Sequence, residues 1–322
     1  KMDWSHGHNM ALVNGVGRIG WMKGGKSALW NDETMGDTFA DKACGFIARN
    51  KDKPFFLYYA SHENHVPRVH NPRYAGKTPL GPRGDAVVAF DDQAGRILAE
   101  LEKHGLAENT LVIYSSDNGP VLDDGYKDKA VELNQQAGHT PAGPFRGGKY
   151  SILEGGTRVG FLARWPGQIA AETVAPHVGY FGDLMATWAE VGGAARPAEH
   201  AADSISLVPT LLGRGAQPKH AFLYWEFYEQ GISQALLLDG RWKALRLKTL
   251  TAPIQLFDLT HDPREEHDLA PVAAHAAALA DWRSRLIREL TGRPEGFTDG
   301  TRLIAGRPYP AVQKRPAVSA PP

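Results

Sequence analysis

Two adjacent residues suited to binding a hard cation, Asp117 and Asn118, directly follow an apolar run at residues 110–116. Carboxylate and amide oxygens are the ligands that Ca²⁺ and Mg²⁺ take, whereas thiophilic metals prefer other donors. Gly119 and Pro120 come next, and both residue types are common in tight turns. The residues therefore permit two interpretations: half of a divalent-metal site, or a plain Asx turn that caps a strand.

Two histidines, His62 and His65, follow a second apolar run at residues 54–60. Imidazole has an unperturbed pKa of about 6.5, so either histidine could donate a proton at neutral pH. On a loop, the same residues could equally be metal ligands or ordinary surface side chains. The sequence leaves these alternatives open.

A third candidate is Lys149, which ends the segment Phe-Arg-Gly-Gly-Lys at residues 145–149. The segment is not a Walker phosphate loop, because that motif needs a Ser or Thr directly after the lysine, and Tyr150 follows here. Lys149 is then either a positive charge that a glycine turn presents to an anionic group, or an ordinary solvated lysine.

The apolar patterns predict the elements that position these residues. Residues 54–60 and 110–116 are typical of strands buried on both faces of a parallel sheet, and residues 85–104 between them carry one apolar helical stripe. Such a βαβ unit has a right-handed crossover, and its ligands bind beyond the carboxyl ends of the strands. Further predicted elements are helices from Thr34 or Asp37 to Arg49 and over residues 180–191, and a strand over residues 157–165.

The C-terminal part has a different pattern, with four short strand-like runs and an Asp-Gly hairpin signal at residues 239–240. The runs cover residues 222–227, 234–238, 242–247 and 255–259, and a helix is predicted over residues 272–290. The predicted fold class is therefore α/β: a mostly parallel sheet flanked by helices, plus a small antiparallel sheet with a C-terminal helix. The predicted domains are residues 1–216 and 217–306, followed by a proline-rich tail at 307–322.

Composition excludes several functional classes. Lys+Arg and Asp+Glu are 36 each, and this balance argues against a nucleic-acid-binding surface and against a polybasic membrane anchor. The single cysteine, Cys44, excludes an internal disulfide framework and a multi-cysteine metal site. No apolar run approaches the roughly 18 residues that a membrane span needs.

Taken together and in order, five segments resemble the type I, formylglycine-dependent sulfatases of the alkaline-phosphatase-like superfamily. They are His-Glu-Asn-His-Val-Pro at residues 62–67, Gly-Asp at 84–85 where the long helix is predicted to begin, Leu-Ala-Glu-Asn-Thr-Leu-Val-Ile-Tyr-Ser-Ser-Asp-Asn-Gly at 106–119, Arg-Gly-Gly-Lys-Tyr-Ser-Ile-Leu-Glu-Gly-Gly-Thr-Arg-Val at 146–159, and Leu-Phe-Asp-Leu-Thr-His-Asp-Pro-Arg-Glu-Glu-His-Asp-Leu at 256–269. The resemblance covers most of residues 10–295. Residues 17–26 look most like bacterial sulfatases that act on sulfated polysaccharides.

The resemblance implies a role for each candidate. Asp117 and Asn118 match ligands of a divalent cation, usually Ca²⁺, with Mg²⁺ as the alternative. His65 matches the histidine that assists the leaving alcohol, and Lys149 matches the lysine that binds a sulfate oxygen. Glu154 and Arg158 match a pair that shapes the loop. Contacts with the sugar are expected from His62, Arg68, His139 and Arg146.

The sequence departs from the family pattern at the nucleophile. The family motif is Cys/Ser-x-Pro/Ala-x-Arg, and Cys44 does not satisfy it because Phe46 and Ala48 occupy the two later positions. The family's Asp-Asp metal pair and its Lys-x-His segment are also absent. All three are expected upstream of residue 1, so the chain is expected to be either the C-terminal piece of a sulfatase or a truncated product without activity.

The predicted function is hydrolysis of a sulfuric ester on a sulfated carbohydrate. Two alternatives stay open: a phosphodiesterase or phosphonate monoester hydrolase relative, and a non-catalytic sugar-binding remnant. The resemblance also implies a periplasmic or secreted location.

Overall fold

The computed structural model describes residues 12–13, 16–17, 31–123, 125, 128–195, 200–228, 231–249, 252–293 and 296–304. The described residues form two compact units. The first unit comprises the chain up to Ser116 together with residues 121–143 and 160–173. The second unit comprises residues 117–120, 144–159 and the chain from Val174 onward. The predicted tail at 307–322 lies outside the described residues, and the predicted division near residue 216 stays a prediction.

Helices dominate the first unit. They are α1 (Asp32–Asn50), α2 (Gly81–Lys103) and α3 (Ala130–Gln136), with short 3₁₀ turns at Pro72–Tyr74 and Ala107–Asn109. The side chain of Asn31 caps α1 by accepting the backbone N–H of Glu33 at 2.9 Å. The two long helices lie where the apolar spacing predicts them, and α2 begins four residues earlier than predicted, at Gly81.

The strands of the first unit correct the predicted parallel sheet. β1 (Leu12–Val13) pairs antiparallel with β2 (Val16–Gly17), and β3 (Val112–Ser115) pairs antiparallel with β4 (Phe161–Arg164). Residues 54–60 form no strand. The prediction of a parallel βαβ pair between 54–60 and 110–116 is therefore wrong for the described residues.

The exposure of residues 54–60 explains this error. Phe56 and Tyr58 are 60% and 77% exposed, whereas Phe55 packs edge-on against Phe46 of α1 at 5.8 Å and Tyr59 donates its hydroxyl to Gln93 of α2 at 2.6 Å. The helices cover one side of the segment only. An apolar run indicates that its side chains can be buried. It does not specify which other strand pairs with the run and satisfies its backbone N–H and C=O groups.

The second unit is built on a four-stranded antiparallel sheet. Its strands β5 (Phe222–Phe227), β6 (Ser233–Leu238), β7 (Trp242–Arg246) and β8 (Gln255–Asp258) pair in chain order. The β6–β7 turn has positive φ at Asp239 (52°) and Gly240 (68°), as a type I′ hairpin turn requires. The four predicted strands and the hairpin are confirmed.

The two faces of this sheet have different coverings. Helix α7 (Ala276–Leu290) packs on one face through Trp282, Leu286 and Leu290, as predicted, and follows a 3₁₀ turn at Ala273–His275. Ile152 and Leu153 pack on the other face. They belong to residues 144–159, which we call the lysine loop because it carries Lys149.

Three short helices complete the second unit: α4 (Glu154–Thr157), α5 (Asp183–Val191) and α6 (Val208–Leu212). The α5 helix confirms the helix predicted over residues 180–191. Among the described residues, no helix combines the length and the apolar character needed to cross a bilayer.

Candidate active site

Residues 117–120, which we call the Asp-Asn turn, are joined to the lysine loop by their backbones. Gly119 donates its N–H to the carbonyl of Gly156 at 2.9 Å, and Lys149 donates its N–H to the carbonyl of Pro120 at 2.8 Å. A Cβ atom at Gly119 would overlap the carbonyl of Gly155. Only glycine allows this approach, so the metal-ligand candidates and Lys149 belong to one closely packed block.

Within the Asp-Asn turn, the two candidate metal ligands present oxygen atoms. Asp117 is exposed and Asn118 is half-buried. The amide nitrogen of Asn118 donates to the carbonyl of Gly119 at 2.9 Å, so the Oδ1 atom is the one suited to a cation. A carboxylate beside an oriented amide oxygen suits Ca²⁺ or Mg²⁺. The two oxygens would form part of a shell of about six to eight oxygen ligands.

A glycine turn presents Lys149. Gly147 has a φ of 77°, and a Cβ atom there would lie 2.8 Å from the hydroxyl of Ser151. Lys149 is half-buried, and its Nζ lies 5.5 Å from the ring centre of Tyr150. This arrangement places a positive charge on a constrained backbone, as an anion-binding lysine needs.

Arg146, at the start of the same loop, lies against the four-stranded sheet. Its guanidinium carbon is 5.5 Å from the ring centre of Phe257. Its Nε atom is buried and has no hydrogen-bond partner among the described residues. Its predicted contact with the sugar stays a prediction.

The structure also reveals a buried ion cluster that we define as Glu154, Lys243 and Glu265. Lys243 Nζ lies 2.7 Å from Glu154 Oε1 and 3.1 Å from Glu265 Oε1. The side chains of Lys243 and Glu265 are 0% exposed. Arg158 Nη1 lies 3.4 Å from Glu154 Oε2, which is the pair that the motif implied. The sequence assigned no role to Lys243 or Glu265. The available signals were a lysine inside an apolar strand for Lys243 and a place in the family-like segment 256–269 for Glu265.

In the first unit, His65 is exposed and its ring has a defined orientation. Its Nδ1 atom lies 2.7 Å from the carbonyl oxygen of Val66. Because a carbonyl oxygen only accepts hydrogen bonds, Nδ1 carries a proton and donates it to this bond. Proton transfer to a leaving group would therefore use Nε2.

His62 lies near a buried carboxyl group. Its Nε2 is 3.9 Å from Glu63 Oε1, and its ring packs edge-on against Phe39 at 5.9 Å. Gln93 donates to Glu63 Oε1 at 2.9 Å, while burial raises the pKa of the Glu63 carboxyl. These contacts fix the side chain of His62, which stands three residues before His65 on the same loop.

The remaining two candidates differ in burial. Arg68 is buried and forms an ion pair with Asp128, and its Nε donates to the carbonyl of Asn64 at 3.3 Å. His139 is exposed just after α3, with its backbone N–H donating to the carbonyl of Asn134 at 2.8 Å. The ion pair gives Arg68 a structural role, and the sugar contacts of both residues stay predictions.

The eight candidates thus divide equally between the units. The second unit brings Asp117, Asn118, Arg146 and Lys149 into one block, and the first unit holds His62, His65, Arg68 and His139.

Another titratable cluster is explained by its turn. Asp262, Glu266 and His267 have ligand atoms within 4.8 Å of one another. The two carboxylate oxygens of Asp262 accept the backbone N–H groups of Glu266 at 3.2 Å and His267 at 2.8 Å. These bonds stabilise the turn and account for the position of the Asp262 carboxylate.

Comparison with known proteins identifies the class. The sulfatase family model matches residues 9–194, more than half of the chain. An N-acetylgalactosamine-6-O-sulfatase of Bacteroides thetaiotaomicron is 40% identical over 285 residues, which are 84% of this chain and 54% of that protein. Human arylsulfatase A is 32% identical over 288 residues, covering 83% of this chain and 54% of the relative.

Solved structures agree with the family match. A Bacteroides thetaiotaomicron sulfatase structure, described in connection with the metabolism of multiple glycosaminoglycans, matches with a TM-score of 0.75 and 37% identity over 87% of this chain and 59% of that one. The crystal structure of Ps i-CgsB with a neocarrahexaose matches with a TM-score of 0.66 and 26% identity, over 80% of this chain and 54% of that one.

These matches define the fold as that of the alkaline-phosphatase-like hydrolases. The chain belongs to the sulfatase family. The resemblance predicted from the motifs is confirmed. The chain spans about half the length of the curated relatives that it matches.

Proposed function

We propose that this chain supplies the metal-ligand pair, the sulfate-binding lysine and the proton donor of an enzyme that hydrolyses sulfate esters on a sulfated carbohydrate. The observation that carries this proposal is the backbone junction between the Asp-Asn turn and the lysine loop, in which Lys149 donates to Pro120 and Gly119 donates to Gly156. It joins the backbones that carry two candidate oxygen ligands and Lys149, and both a bound cation and the lysine ammonium would offset the negative charge of a sulfate ester.

Each side chain has a defined task in this proposal. The ammonium of Lys149 neutralises charge on the sulfuryl oxygens, where a fixed positive group lowers the barrier most. When the bond between sulfur and the sugar oxygen breaks, His65 Nε2 gives a proton to that oxygen. The bond from Nδ1 to Val66 at 2.7 Å keeps the ring oriented for this transfer.

Asp117 and Asn118 would hold a divalent cation, Ca²⁺ or Mg²⁺. When bound, the cation supplies positive charge that polarises the sulfate oxygens. The nucleophile motif of the family does not occur among the 322 residues. We therefore assign the formylglycine nucleophile to no residue of this chain.

The proposed substrate class follows from the relatives. Names such as N-acetylgalactosamine-6-O-sulfatase at 40% identity favour a 6-sulfated amino sugar as the first substrate to test. His62, Arg68, His139 and Arg146 are the proposed sugar contacts, and the proposed location is periplasmic or secreted. The net charge of zero argues against a nucleic-acid partner.

The test uses the natural full-length protein with N-acetylgalactosamine 6-sulfate and the matching 6-phosphate. Sulfate and phosphate release are measured by ion chromatography in the presence of Ca²⁺. We expect sulfate release, and we expect Lys149→Met to lower it by about 10²-fold, the size typical of losing one electrostatic stabiliser.

The two alternatives give different results in the same experiment. Bis(4-nitrophenyl) phosphate, a phosphate diester, is assayed alongside, and its faster hydrolysis would identify a phosphodiesterase or phosphonate monoester hydrolase relative. Binding of the sulfated sugar without release of either ion would identify a non-catalytic binding protein, and both results would contradict the proposal.

A further inference from the structure

We propose that Lys243 and Glu265 are positioning residues for the candidate site, and that they act through Glu154 on the Asp-Asn turn. Their role as part of an active site rests on the proposed function, whereas the mechanical link is a property of the fold. No sequence motif of the candidate site includes Lys243.

The first link joins the sheet to the lysine loop. Lys243, on β7, binds Glu154 Oε1 at 2.7 Å, and Glu265 Oε2 accepts the backbone N–H of Glu154 at 2.8 Å. Glu154 is thus held at both its side chain and its backbone nitrogen. Because Lys243 and Glu265 are fully buried, removing either partner leaves an uncompensated buried charge, which strongly destabilises the local structure.

The second link joins Glu154 to the Asp-Asn turn. Glu154 opens α4, and Gly155 and Gly156 follow it directly. Gly155 donates its N–H to the carbonyl of Arg146 at 2.8 Å, and Gly156 accepts the N–H of Gly119 at 2.9 Å. A Cβ atom at Gly155 would lie 2.6 Å from the Arg146 oxygen, so this backbone has no clearance. A displacement of Glu154 is therefore transmitted to Gly119 and to its neighbour Asn118.

Charge explains why ionic groups, and not apolar side chains, occupy this position. Apolar replacements of a buried ion cluster often preserve stability, but they make no directional bonds. Here the two carboxylates of Glu154 and Glu265 face the cations of Lys243 and Arg158, so the four charges balance. The directional bonds fix where Glu154 begins α4.

Hydrogen exchange measured by mass spectrometry tests the link without substrate. The reporters are peptides that contain the amides of Gly119, Lys149 and Gly155, which are compared with peptides from β6. Lys243→Met should speed exchange at the reporters by about 10-fold or more relative to β6, because the local bonds open while the sheet stays closed.

The matched control is Leu286→Ala. Leu286 belongs to α7, packs against the sheet face that this helix covers, and is 0% exposed. The substitution should lower the global stability, because it leaves a cavity in the core, and it should change exchange at the reporters no more than at β6. If Lys243→Met and Leu286→Ala give the same reporter-to-β6 ratio, the cluster is a core element only and the proposal is overturned.

A second pair of variants keeps the test decisive if Lys243→Met does not fold. Glu265→Gln retains an oxygen that can accept the Glu154 N–H and should keep reporter exchange within about 3-fold of wild type, whereas Glu265→Met removes the acceptor and should exceed about 10-fold. Equal exchange in the two variants would contradict the link.

Sulfate release by the same variants separates this proposal from the proposed function. Positioning predicts that Glu265→Met lowers kcat by about 10-fold with KM within about 2-fold, and that Glu265→Gln retains kcat. If reporter exchange responds as expected but wild-type protein releases no sulfate, the link stands and the proposed function fails. Unchanged kcat in Glu265→Met, in an active enzyme, would overturn the positioning role.

Discussion

Gly119 donates its N–H to the carbonyl of Gly156 at 2.9 Å, and this contact joins the metal-ligand candidates to the loop that carries Lys149. It requires glycine on both sides. A Cβ atom at Gly156 would overlap the carbonyl of Ser151, and one at Gly119 would overlap the carbonyl of Gly155. Close packing between the two backbones therefore explains why glycine occupies positions 119 and 156.

The first prediction concerns Gly119→Ala. The added methyl group meets a backbone carbonyl that cannot rotate away. We therefore expect the free energy of unfolding to fall by about 3 kcal/mol, the upper end of the cost of overpacking. Thermal unfolding measures the loss. The control is Gly95→Ala at an exposed position of α2, where a Cβ atom meets nothing within 4 Å. This substitution should raise the free energy of unfolding by about 0.5–1 kcal/mol. Equal stability of the two variants would show that the backbone junction is not tight.

The second prediction concerns His65→Ala. If His65 Nε2 protonates the leaving oxygen, its loss should slow sugar sulfates by about 10²-fold or more, since such proton transfer contributes about 10²–10⁴-fold. Hydrolysis of 4-nitrophenyl sulfate, whose leaving group needs no proton, should fall much less. Initial rates of sulfate release on the two substrates measure the difference. The exposed His267 provides the control, His267→Ala, and equal losses on both substrates in His65→Ala would contradict a general-acid role.

The third prediction concerns the pH dependence of stability through Asp258. Hydrogen bonds from the Arg241 guanidinium at 2.6 and 3.0 Å hold the pKa of the Asp258 carboxyl far below its ordinary value of 3.8. A carboxyl with a lowered folded-state pKa stabilises the fold above its unfolded pKa, and this contribution is lost as the pH falls through the folded value.

Denaturant unfolding between pH 2 and about 7 measures this contribution. Asp258→Asn should lose about 1–2 kcal/mol at neutral pH, a value that allows for the half-exposed guanidinium, and the difference from wild type should shrink below the ordinary pKa. Asp281→Asn, which breaks an exposed pair with Arg285 on α7, should change stability by about 0.5 kcal/mol or less. A difference for Asp258→Asn that is independent of pH would contradict the assignment.

The fold could be predicted from the sequence wherever local patterns decide it. The helical stripe of α2 and the Asp-Gly turn at residues 239–240 depend on neighbours a few positions away, so both were predicted correctly. The pairing of β3 with β4 depends on residues 45 or more positions apart, as the bond from Ser115 to Gly160 shows, and periodicity carries no such information. That is why the antiparallel pair was missed.

The sequence could predict the site residues that stand in recognisable motifs, but not the buried lysine that contacts the loop behind them. Asp117, Asn118 and Lys149 stand next to glycines in recognisable segments. Lys243 stands alone in a strand, where a charged side chain usually faces solvent. Its partner Glu154 is 89 positions away, so only the folded chain shows that the lysine is buried.

The measurement that tests the central claim most directly is sulfate release by the natural full-length protein and by Asp117→Ala, each titrated with Ca²⁺ after treatment with a chelator. We predict that Ca²⁺ restores wild-type release of sulfate from N-acetylgalactosamine 6-sulfate, and that Asp117→Ala stays at least about 10²-fold lower at every Ca²⁺ concentration. Wild-type rates in Asp117→Ala, with an unchanged response to Ca²⁺, would contradict the account.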